Sequence, residues 1–288
     1  MSTPPLAFVQ CALGIGALCA MDALVKHLSR SHDVEFVTFA RFATGSLMAL
    51  GVWQAQGRPR ITREMLPVHL LRGGIIAVMA LSFFWGISRL PLAEAITISF
   101  IAPLLVPPIA SLILGERMQK RYLAAGALGF TGTLVTVQGA PEFSGERLLA
   151  LAAIAFAAIA YATSAVLLRS RAGKDGATVI TLLSAAVPAL VLSPAAIGQP
   201  VPGLEDLAWF AALGLCGNIG IQLLSRAYVH MEAQASAVLE FTALPWAALF
   251  GWFIFAEPVR PQVWLGAAII LAACLWASRG ERAPAPAA

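Results

Sequence analysis

Two stretches decide the fold of this chain: AEAITISFIAPLLVPPIASLILGER (93–117) and SAVLEFTALPWAALFGWFIFAEP (236–258). Each is an apolar run of about twenty residues, the length that crosses a bilayer as a helix, with proline near its middle and glutamate at its end. Pro103 and Pro245 lie 142 residues apart, close to half of the 288-residue chain. This spacing predicts that one module is used twice.

The composition indicates that the solvent of this protein is lipid. The chain is 59% hydrophobic and 12% charged, with a mean hydropathy of +0.80, whereas a soluble domain carries about 25% charged residues. The fold class is therefore an all-α integral membrane protein, and the bilayer is its main partner. The net charge of +4 resides in short loops rather than in a patch, so we expect no nucleic-acid partner.

Ten spanning helices are predicted from the apolar runs, because each is about twice as long as a membrane strand and does not alternate. The connections are short and rich in turn residues or charge, as in RSRAGKDG (169–176). The predicted spans are 5–27, 34–54, 67–88, 93–114, 121–139, 147–168, 177–197, 205–226, 234–256 and 261–279.

The duplication divides the chain into a first five-helix repeat (1–139), an inter-repeat loop (140–146), a second five-helix repeat (147–279) and a disordered tail (280–288). Five is an odd number, so the second repeat enters the membrane from the opposite face and the two repeats are inverted. Of 19 Lys and Arg residues, twelve lie in loops on the amino-terminal side and five on the other. This excess predicts that both termini are cytoplasmic.

Several motifs resemble those of the drug/metabolite transporter superfamily, and within it the EamA-type bacterial exporters. MDALVKHL (21–28) and FARF (39–42) are similar to the family's first two helices, and the run that ends in AEP (256–258) is similar to its ninth. The resemblance covers nearly the whole chain. It implies an inner-membrane carrier of small organic molecules, often amino acids, with a cavity lined chiefly by helices three, four, eight and nine. In the family a glutamate often directly precedes the proline of helix nine, whereas in this chain Glu240 lies five residues before Pro245.

A mostly apolar set of midplane residues with scattered hydroxyl and amide groups is the predicted substrate site, as small-molecule pockets require. The alternative is that the hydroxyls bond backbone within their own helices, while nearby glycines permit close packing. The sequence has no ring of acidic residues that would bind a metal cation, and no cofactor is expected. The predicted substrate-binding residues are Met79, Ser82, Phe83, Thr97, Ser99, Tyr161, Ser164, Asn218, Gln222 and Thr242.

Five ionisable residues inside the spans are candidates for gating or coupling, since such groups are costly in a bilayer unless they serve a function. Asp22, Lys26 and Arg41 are expected to form one cluster in the outer half. The alternative is that Lys26 and Arg41 snorkel to the headgroups while Asp22 neutralises one of them. Arg72 and Glu240 lie at similar depths toward the inner side. They are expected to pair as an inner gate or to hold the carboxylate and ammonium of a zwitterion. The alternative is that they form a structural ion pair or snorkel separately.

Prolines inside the apolar runs predict hinges, because proline removes a backbone hydrogen bond and kinks a helix. The predicted hinge residues are Pro103, Pro107, Pro108 and Pro245.

The predicted function is that of a secondary transporter that works by alternating access, since inverted repeats recur in such carriers. Its expected cargo is a small organic metabolite, most readily an amino acid, exported across the bacterial inner membrane by a single chain. The chain contains no GxxxxGK[ST] motif, so it carries no ATPase of its own. The alternatives are a carrier of nucleoside-like metabolites, drugs or quaternary cations, a channel, or a lipid-processing enzyme. Scattered histidines and the lack of a DxxD cluster disfavour the enzyme.

Overall fold

The computed structural model describes residues 5–89, 98–117, 119–136, 145–200, 202–231, 233–255 and 261–278. Every regular element within these ranges is a helix. Most of the predicted loop 140–146 and all of the predicted tail 280–288 lie outside them. The all-α class is therefore confirmed for the part of the chain that the structure describes.

Helices occupy all ten predicted spans. Within the described ranges, seven helical segments are long and apolar enough to cross a membrane, and two shorter apolar helices accompany them. The first half holds α1 (Pro5–Leu28), α2 (Val34–Ala55), α3 (Leu66–Ile87), α4 (Ile101–Leu114) and α5 (Lys120–Thr136). The second half holds α6 (Gly145–Asp175), α7 (Ala177–Leu192) with a 3₁₀ turn (Ser193–Ala196), α8 (Leu204–Tyr228), α9 (Ala233–Glu240), α10 (Ala243–Phe255) and α11 (Pro261–Ser278).

The predicted connection 169–176 is wrong for all but its last residue. Helix α6 continues through it to Asp175, and Gly176 alone joins α6 to α7. Arginine and lysine are good helix formers, so a helix can extend beyond the apolar run that crosses the membrane. Gly176 has φ +74°, a left-handed conformation that glycine adopts without a Cβ penalty.

The fourth and ninth spans are interrupted near the middle. Helix α9 ends at Glu240 and α10 begins at Ala243, while α4 begins directly after a turn at Phe100. Both breaks fall three to four residues before a proline, because proline has no N–H for the carbonyl four residues back. The rings of Phe100 and Phe241 stack with their centroids 5.2 Å apart, so the two breaks meet inside the bundle.

Helix pairs from the two halves pack directly on one another. Helix α1 lies along α8 and α3 along α6, while α2 packs on α7 and α5 on α11. Glycines allow the closest approach, since a Cβ on Gly220 would lie 3.1 Å from the Gly14 carbonyl oxygen. The outer surface is strongly apolar, as residues such as Leu47, Leu112 and Phe253 show by being 70% exposed or more. A water-soluble protein rarely exposes so much apolar surface.

The bundle has two unlike ends. We call the side on which α1 begins the amino face, and the other side the opposite face. At the amino face a buried cluster joins Cys11 of α1 to Leu168 of α6 and Tyr228 of α8, and a separate pocket lies beside it between the start of α1, the α6–α7 junction and the end of α8. Toward the opposite face the helices separate around a cavity.

Candidate functional site

A cavity of about 260 Å³ lies inside the bundle and is lined by α1–α4, α6–α10 and the residues just before α4. Its lining begins at Ile15 on α1 and at Arg72 on α3 and continues to Lys26 and Ile87, near the far ends of those helices. The first turns of α1 and α3, at the amino face, take no part. The cavity therefore occupies the midplane and the half of the bundle toward the opposite face.

Arg72 forms part of the cavity floor. Its side chain is buried, with 3% of the residue exposed. Nε donates to the Ser164 carbonyl at 3.2 Å, and Nη1 donates to the Ser184 hydroxyl at 2.5 Å. A guanidinium has five N–H donors, and these two acceptors are neutral. Among the described residues Arg72 has no carboxylate partner, so a buried positive charge faces the cavity without an opposite charge.

Glu240 lies at the carboxyl end of α9, where the ninth span is interrupted. Its Oε1 accepts a hydrogen bond from the Tyr161 hydroxyl at 2.8 Å and a longer one from the Tyr228 hydroxyl at 3.5 Å. The described part of the chain offers it no cationic partner. Glu240 and Arg72 line the same cavity but each is held by neutral groups, so the predicted direct ion pair between them is absent.

Asp22, Lys26 and Arg41, which the sequence groups as a candidate outer cluster, line the cavity nearer the opposite face. The Arg41 guanidinium lies 4.1 Å from the centroid of the Phe42 ring, a cation–π distance, and its Nε lies 2.6 Å from the Met21 sulfur. Asp22 makes no hydrogen bond or ion pair with any residue in the described ranges. Its carboxylate is thus a second acidic group turned toward the cavity.

The walls between these two levels of charge are apolar and largely aromatic. A hydrophobic wall with a few polar groups is typical of small-molecule sites. The wall residues include Phe42, Ile76, Met79, Phe83, Phe84, Phe100 and Phe250.

The structure brings about half of the predicted substrate residues together. The cavity lining contains Met79, Phe83, Ser99, Tyr161 and Ser164, together with all five predicted gating or coupling residues, Asp22, Lys26, Arg41, Arg72 and Glu240. Ser164 contributes through its backbone carbonyl, which holds Arg72. The roles assigned to these residues stay predictions.

Four other predicted substrate residues lie outside the lining, and Thr97 lies outside the described residues. The Asn218 amide donates to the Gly45 carbonyl at 2.6 Å, which joins α8 to α2. The Gln222 amide meets the Thr181 hydroxyl at 2.8 Å, and the Thr242 hydroxyl donates to the Leu239 carbonyl at 2.7 Å. Ser82 is on α3 but is not among the lining residues.

The predicted hinge prolines are placed unequally. Pro103 lines the cavity, and it lies in the first turn of α4. Pro245 has the same place in α10, so both follow a helix break. Pro107 and Pro108 lie inside α4, which continues through them to Leu114.

Two partners of the floor charges were missed by the sequence reasoning. Ser184 of α7 accepts from Arg72, and Tyr228 of α8 donates to Glu240. Tyr228 is the last residue of a spanning helix, where aromatic residues commonly sit at the membrane interface. No local signal separates that ordinary use from a contact with a carboxylate on another helix.

The amino face carries a different kind of charge site. Asp175 receives two hydrogen bonds of 2.6 Å from Arg171, one turn earlier in α6, and its Oδ2 lies 2.9 Å from Nε2 of His69 on α3. Arg169 and Glu116 form a further ion pair at 3.5 Å. Across the described ranges, no group of three or more His, Cys, Asp or Glu side chains could hold a metal ion.

A polytopic helical bundle with an internal, partly charged cavity is the architecture of a membrane transport protein. The EamA-like transporter family profile matches this chain twice, over residues 9–138 and 148–279. The protein belongs to this family. Its members are transporters rather than enzymes, and the predicted location in the bacterial inner membrane is confirmed by the same matches.

Named relatives match along most of the chain. An S-adenosylmethionine uptake transporter of Rickettsia bellii is 29% identical over 273 residues, which cover 94% of this chain and 92% of the relative. The pseudopaline exporter CntI of Pseudomonas aeruginosa is 26% identical over 265 residues, 91% and 92% of the two chains. A riboflavin transporter of Rhizobium johnstonii is 31% identical over 215 residues, 74% and 70%.

A crystal structure shares the fold. It superposes with a TM-score of 0.77 over 96% of this chain and 98% of its own, at 18% sequence identity. This likeness shows the fold alone. The family match and the named relatives show that the chain is a small-molecule transporter.

Proposed function

We propose that this protein is a secondary transporter that works by alternating access and exports small zwitterionic metabolites, with amino acids as the first candidates. In this proposal residues 1–139 and 147–279 are inverted five-helix halves with cytoplasmic termini. The cavity then faces the outside of the cell, and a single chain is sufficient for transport.

Three observations support the inverted arrangement. The family profile matches once in each half. Helices α6 and α8 are the first and third helices of the second half, as α1 and α3 are of the first. The first helix of each half packs on the third helix of the other, α1 on α8 and α6 on α3. The late residues Leu168 and Ala172 of α6 pack with Ala7 at the start of α1, so α6 ends at the face where α1 begins. Inverted halves of this kind can rock about one midplane site.

The observation that carries the proposed cargo is the pair of unmatched charges at the cavity floor. Arg72 offers free N–H donors without a carboxylate, and Glu240 offers Oε2 without a cation. A buried charge without a partner is costly, and a solute with both a carboxylate and an ammonium group would supply the two missing partners. Hydrogen bonds between such charged groups are about twice as strong as neutral ones.

A larger zwitterion is the second candidate. S-adenosylmethionine, the solute named for one relative, contains an α-amino acid group that the same two residues would bind. The aromatic wall, with Phe83, Phe100 and Phe250, would then contact the remainder of the molecule. The relatives' names include uptake and export, so the direction of transport is part of the proposal.

Counterflow in proteoliposomes tests the cargo. Vesicles are preloaded with one unlabelled solute from a panel of amino acids, S-adenosylmethionine, nucleosides and quaternary amines, and entry of its labelled form is followed. We expect saturable uptake, accelerated by internal solute, only for compounds that carry both a carboxylate and an ammonium group. Accelerated uptake of quaternary amines alone would contradict the zwitterion proposal, and flux without saturation would indicate a channel.

Reporter fusions test the topology independently. A reporter after Pro141 should lie on the face opposite to the amino terminus, since five spans separate them. A reporter at that position on the same face would require an even number of spans, and the inverted arrangement would then be wrong.

Asp22, Lys26 and Arg41 are proposed to gate or couple transport from the outer half of the cavity. Transport is either downhill or driven by protons that Asp22 or Glu240 exchanges in the cycle. Liposome flux at several pH values, measured for Asp22→Asn, Glu240→Gln and the parent, separates these alternatives. Unchanged pH dependence in both variants would exclude the two carboxylates as proton carriers.

A further inference from the structure

The closure at the amino face is tied by Arg169, near the end of α6. Its Nη1 donates to the backbone carbonyl of Tyr228 at 2.5 Å, and its Nη2 lies 3.5 Å from Oε1 of Glu116. Glu116 follows the end of α4, and Tyr228 is the last residue of α8. One guanidinium thus joins the ends of three helices, α4, α6 and α8, on the side where the cavity is closed.

The helix ends explain why an arginine holds this place. The last carbonyls of a helix have no intrahelical donor, and the helix dipole makes that end partly negative. Arg169 supplies both a donor and a positive charge to the end of α8. Its side chain and that of Glu116 are about one-fifth exposed, at 21% and 19%, so water competes only in part for the contact.

The residue held by Arg169 also contacts the cavity carboxylate. Tyr228 is buried, with 2% exposed. Its carbonyl accepts from Arg169, while its hydroxyl forms a hydrogen bond with Ser236 of α9 and lies 3.5 Å from Oε1 of Glu240. A single rigid side chain therefore spans from the proposed solute site to the tie at the amino face. Tyr161, the other phenol on Glu240, has no such second contact in the described structure.

We propose that Tyr228 and Arg169 are positioning residues that couple the state of Glu240 to the closure at the amino face. A charged Glu240 attracts the Tyr228 hydroxyl and so holds the end of α8 where Arg169 can reach it. A solute cation that occupies Glu240 competes for the carboxylate, releases Tyr228, and loosens the contact of Arg169 with α8 and α4. This inference rests on the proposed alternating access and adds the route by which an occupied site opens the other face.

Cys19 provides a reporter, because it lines the cavity. The other three cysteines of the sequence are replaced by alanine in the full-length chain. Membrane vesicles of the two orientations are treated with an impermeant maleimide, and the rate at which Cys19 is alkylated is measured from each face. In the parent we expect alkylation from the opposite face and little from the amino face.

Loss of the tie should open the amino face. We expect Arg169→Gln to raise alkylation from the amino face by about fivefold or more, a typical size for coupling between sites, with Arg169→Lys in between. Lys174→Gln is the matched control, since it removes a positive charge from an exposed position on the same helix and should leave the rates unchanged. Unchanged rates in a folded Arg169→Gln protein would overturn the tie. If that variant does not fold, Arg169→Lys decides by the same criterion.

A double-mutant cycle tests the route through Tyr228 without any solute. Glu240→Gln imitates a neutralised carboxylate, and it should raise alkylation from the amino face, as should Tyr228→Phe. The double variant should equal the larger single effect, whereas Glu240→Gln should still act in a Tyr161→Phe background. A Glu240→Gln effect that persists undiminished in Tyr228→Phe would overturn the route, and it would indicate a direct electrostatic action on the Cys19 thiol.

This experiment can fail separately from the proposed function. Alkylation that responds as expected, without counterflow for any solute of the panel, would overturn the proposed cargo and leave the coupling intact. Normal counterflow with rates that none of the variants alters would overturn the coupling alone.

Discussion

The amino face and the cavity both contain buried charges, but they hold them in opposite ways. At the amino face two carboxylates contact basic groups: Asp175 contacts Arg171 at 2.6 Å and His69 at 2.9 Å, and Glu116 contacts Arg169. In the cavity Arg72 and Glu240 have only neutral partners, namely a carbonyl and three hydroxyl groups.

This difference distinguishes charges that stabilise the fold from charges that are available to a solute. A charge taken out of water is retained only if its desolvation is offset, and at the amino face the offset comes from the protein itself. In the cavity the protein supplies neutral hydrogen bonds, which orient Arg72 and Glu240 but leave their charges available. These unmatched charges support the proposal that a solute completes the site.

The largest loss of stability is expected when the paired charges at the amino face are broken. Asp175→Ala leaves Arg171 and the buried His69 without their acceptor, and removing one member of a buried pair costs about 3 kcal/mol or more. Thermal unfolding in detergent measures this loss. The preference among solutes should stay that of the parent, because Asp175 does not line the cavity.

Lys174→Ala is the control for this prediction, since its side chain is exposed at the neighbouring position and its effect should stay within about 0.5 kcal/mol. Equal melting temperatures for the two variants would contradict the structural role of the paired charges.

The next largest effect, a loss of transport, is expected at the unmatched charges of the cavity. Arg72→Gln removes the proposed carboxylate partner, and losing one member of a buried charged contact costs about 2 kcal/mol or more, so transport of zwitterions should fall by about 30-fold or more. Arg72→Lys keeps the charge without the planar fork and should lie between parent and Arg72→Gln. Counterflow at a range of solute concentrations measures both. If Arg72→Gln lowers only the melting temperature, Arg72 belongs with the structural charges.

A smaller effect should follow from moving the helix that carries Arg72. Gly73 packs so closely on α7 that a Cβ would overlap the Val187 side chain, whereas a Cβ on Gly74 would meet nothing within 4 Å. Gly73→Ala should therefore cost about 1–3 kcal/mol of stability and weaken the Arg72–Ser184 contact across the same interface. Gly74→Ala should cost nothing, because alanine is the better helix former. Similar losses in both variants would mean that helix packing does not position Arg72.

Much of the fold was predictable because membrane helices obey a length rule. A run of about 20 apolar residues is required whatever its neighbours are, so the ten spans and the breaks before Pro103 and Pro245 follow from local sequence. The end of α6 was not predictable in this way. Residues 169–175 carry polar helix formers, and a charged connection and a helix that projects from the membrane have the same composition.

For the candidate site, the sequence predicted the depth of each residue in the membrane but not whether its side chain faces the cavity. Tyr161 and Asn218 were both placed near the midplane, yet Tyr161 lines the cavity while Asn218 joins α8 to α2. The rotation of α8 about its axis depends on its glycine face, since Gly214 and Gly220 pack against α2 and α1. Such contacts involve residues roughly two hundred positions apart, and the periodicity of one helix contains no information about them.

The sequence by itself determined that the protein lies in a membrane, where its apolar spans lie, and which charges are buried at which depth. These properties depend on the transfer of short segments from water to lipid, which is local and additive along the chain. Only the tertiary structure decided which of those charges meet an opposite charge and which face an open cavity. Pairing depends on distances of a few ångströms between separate helices, and those distances exist only once the helices are packed.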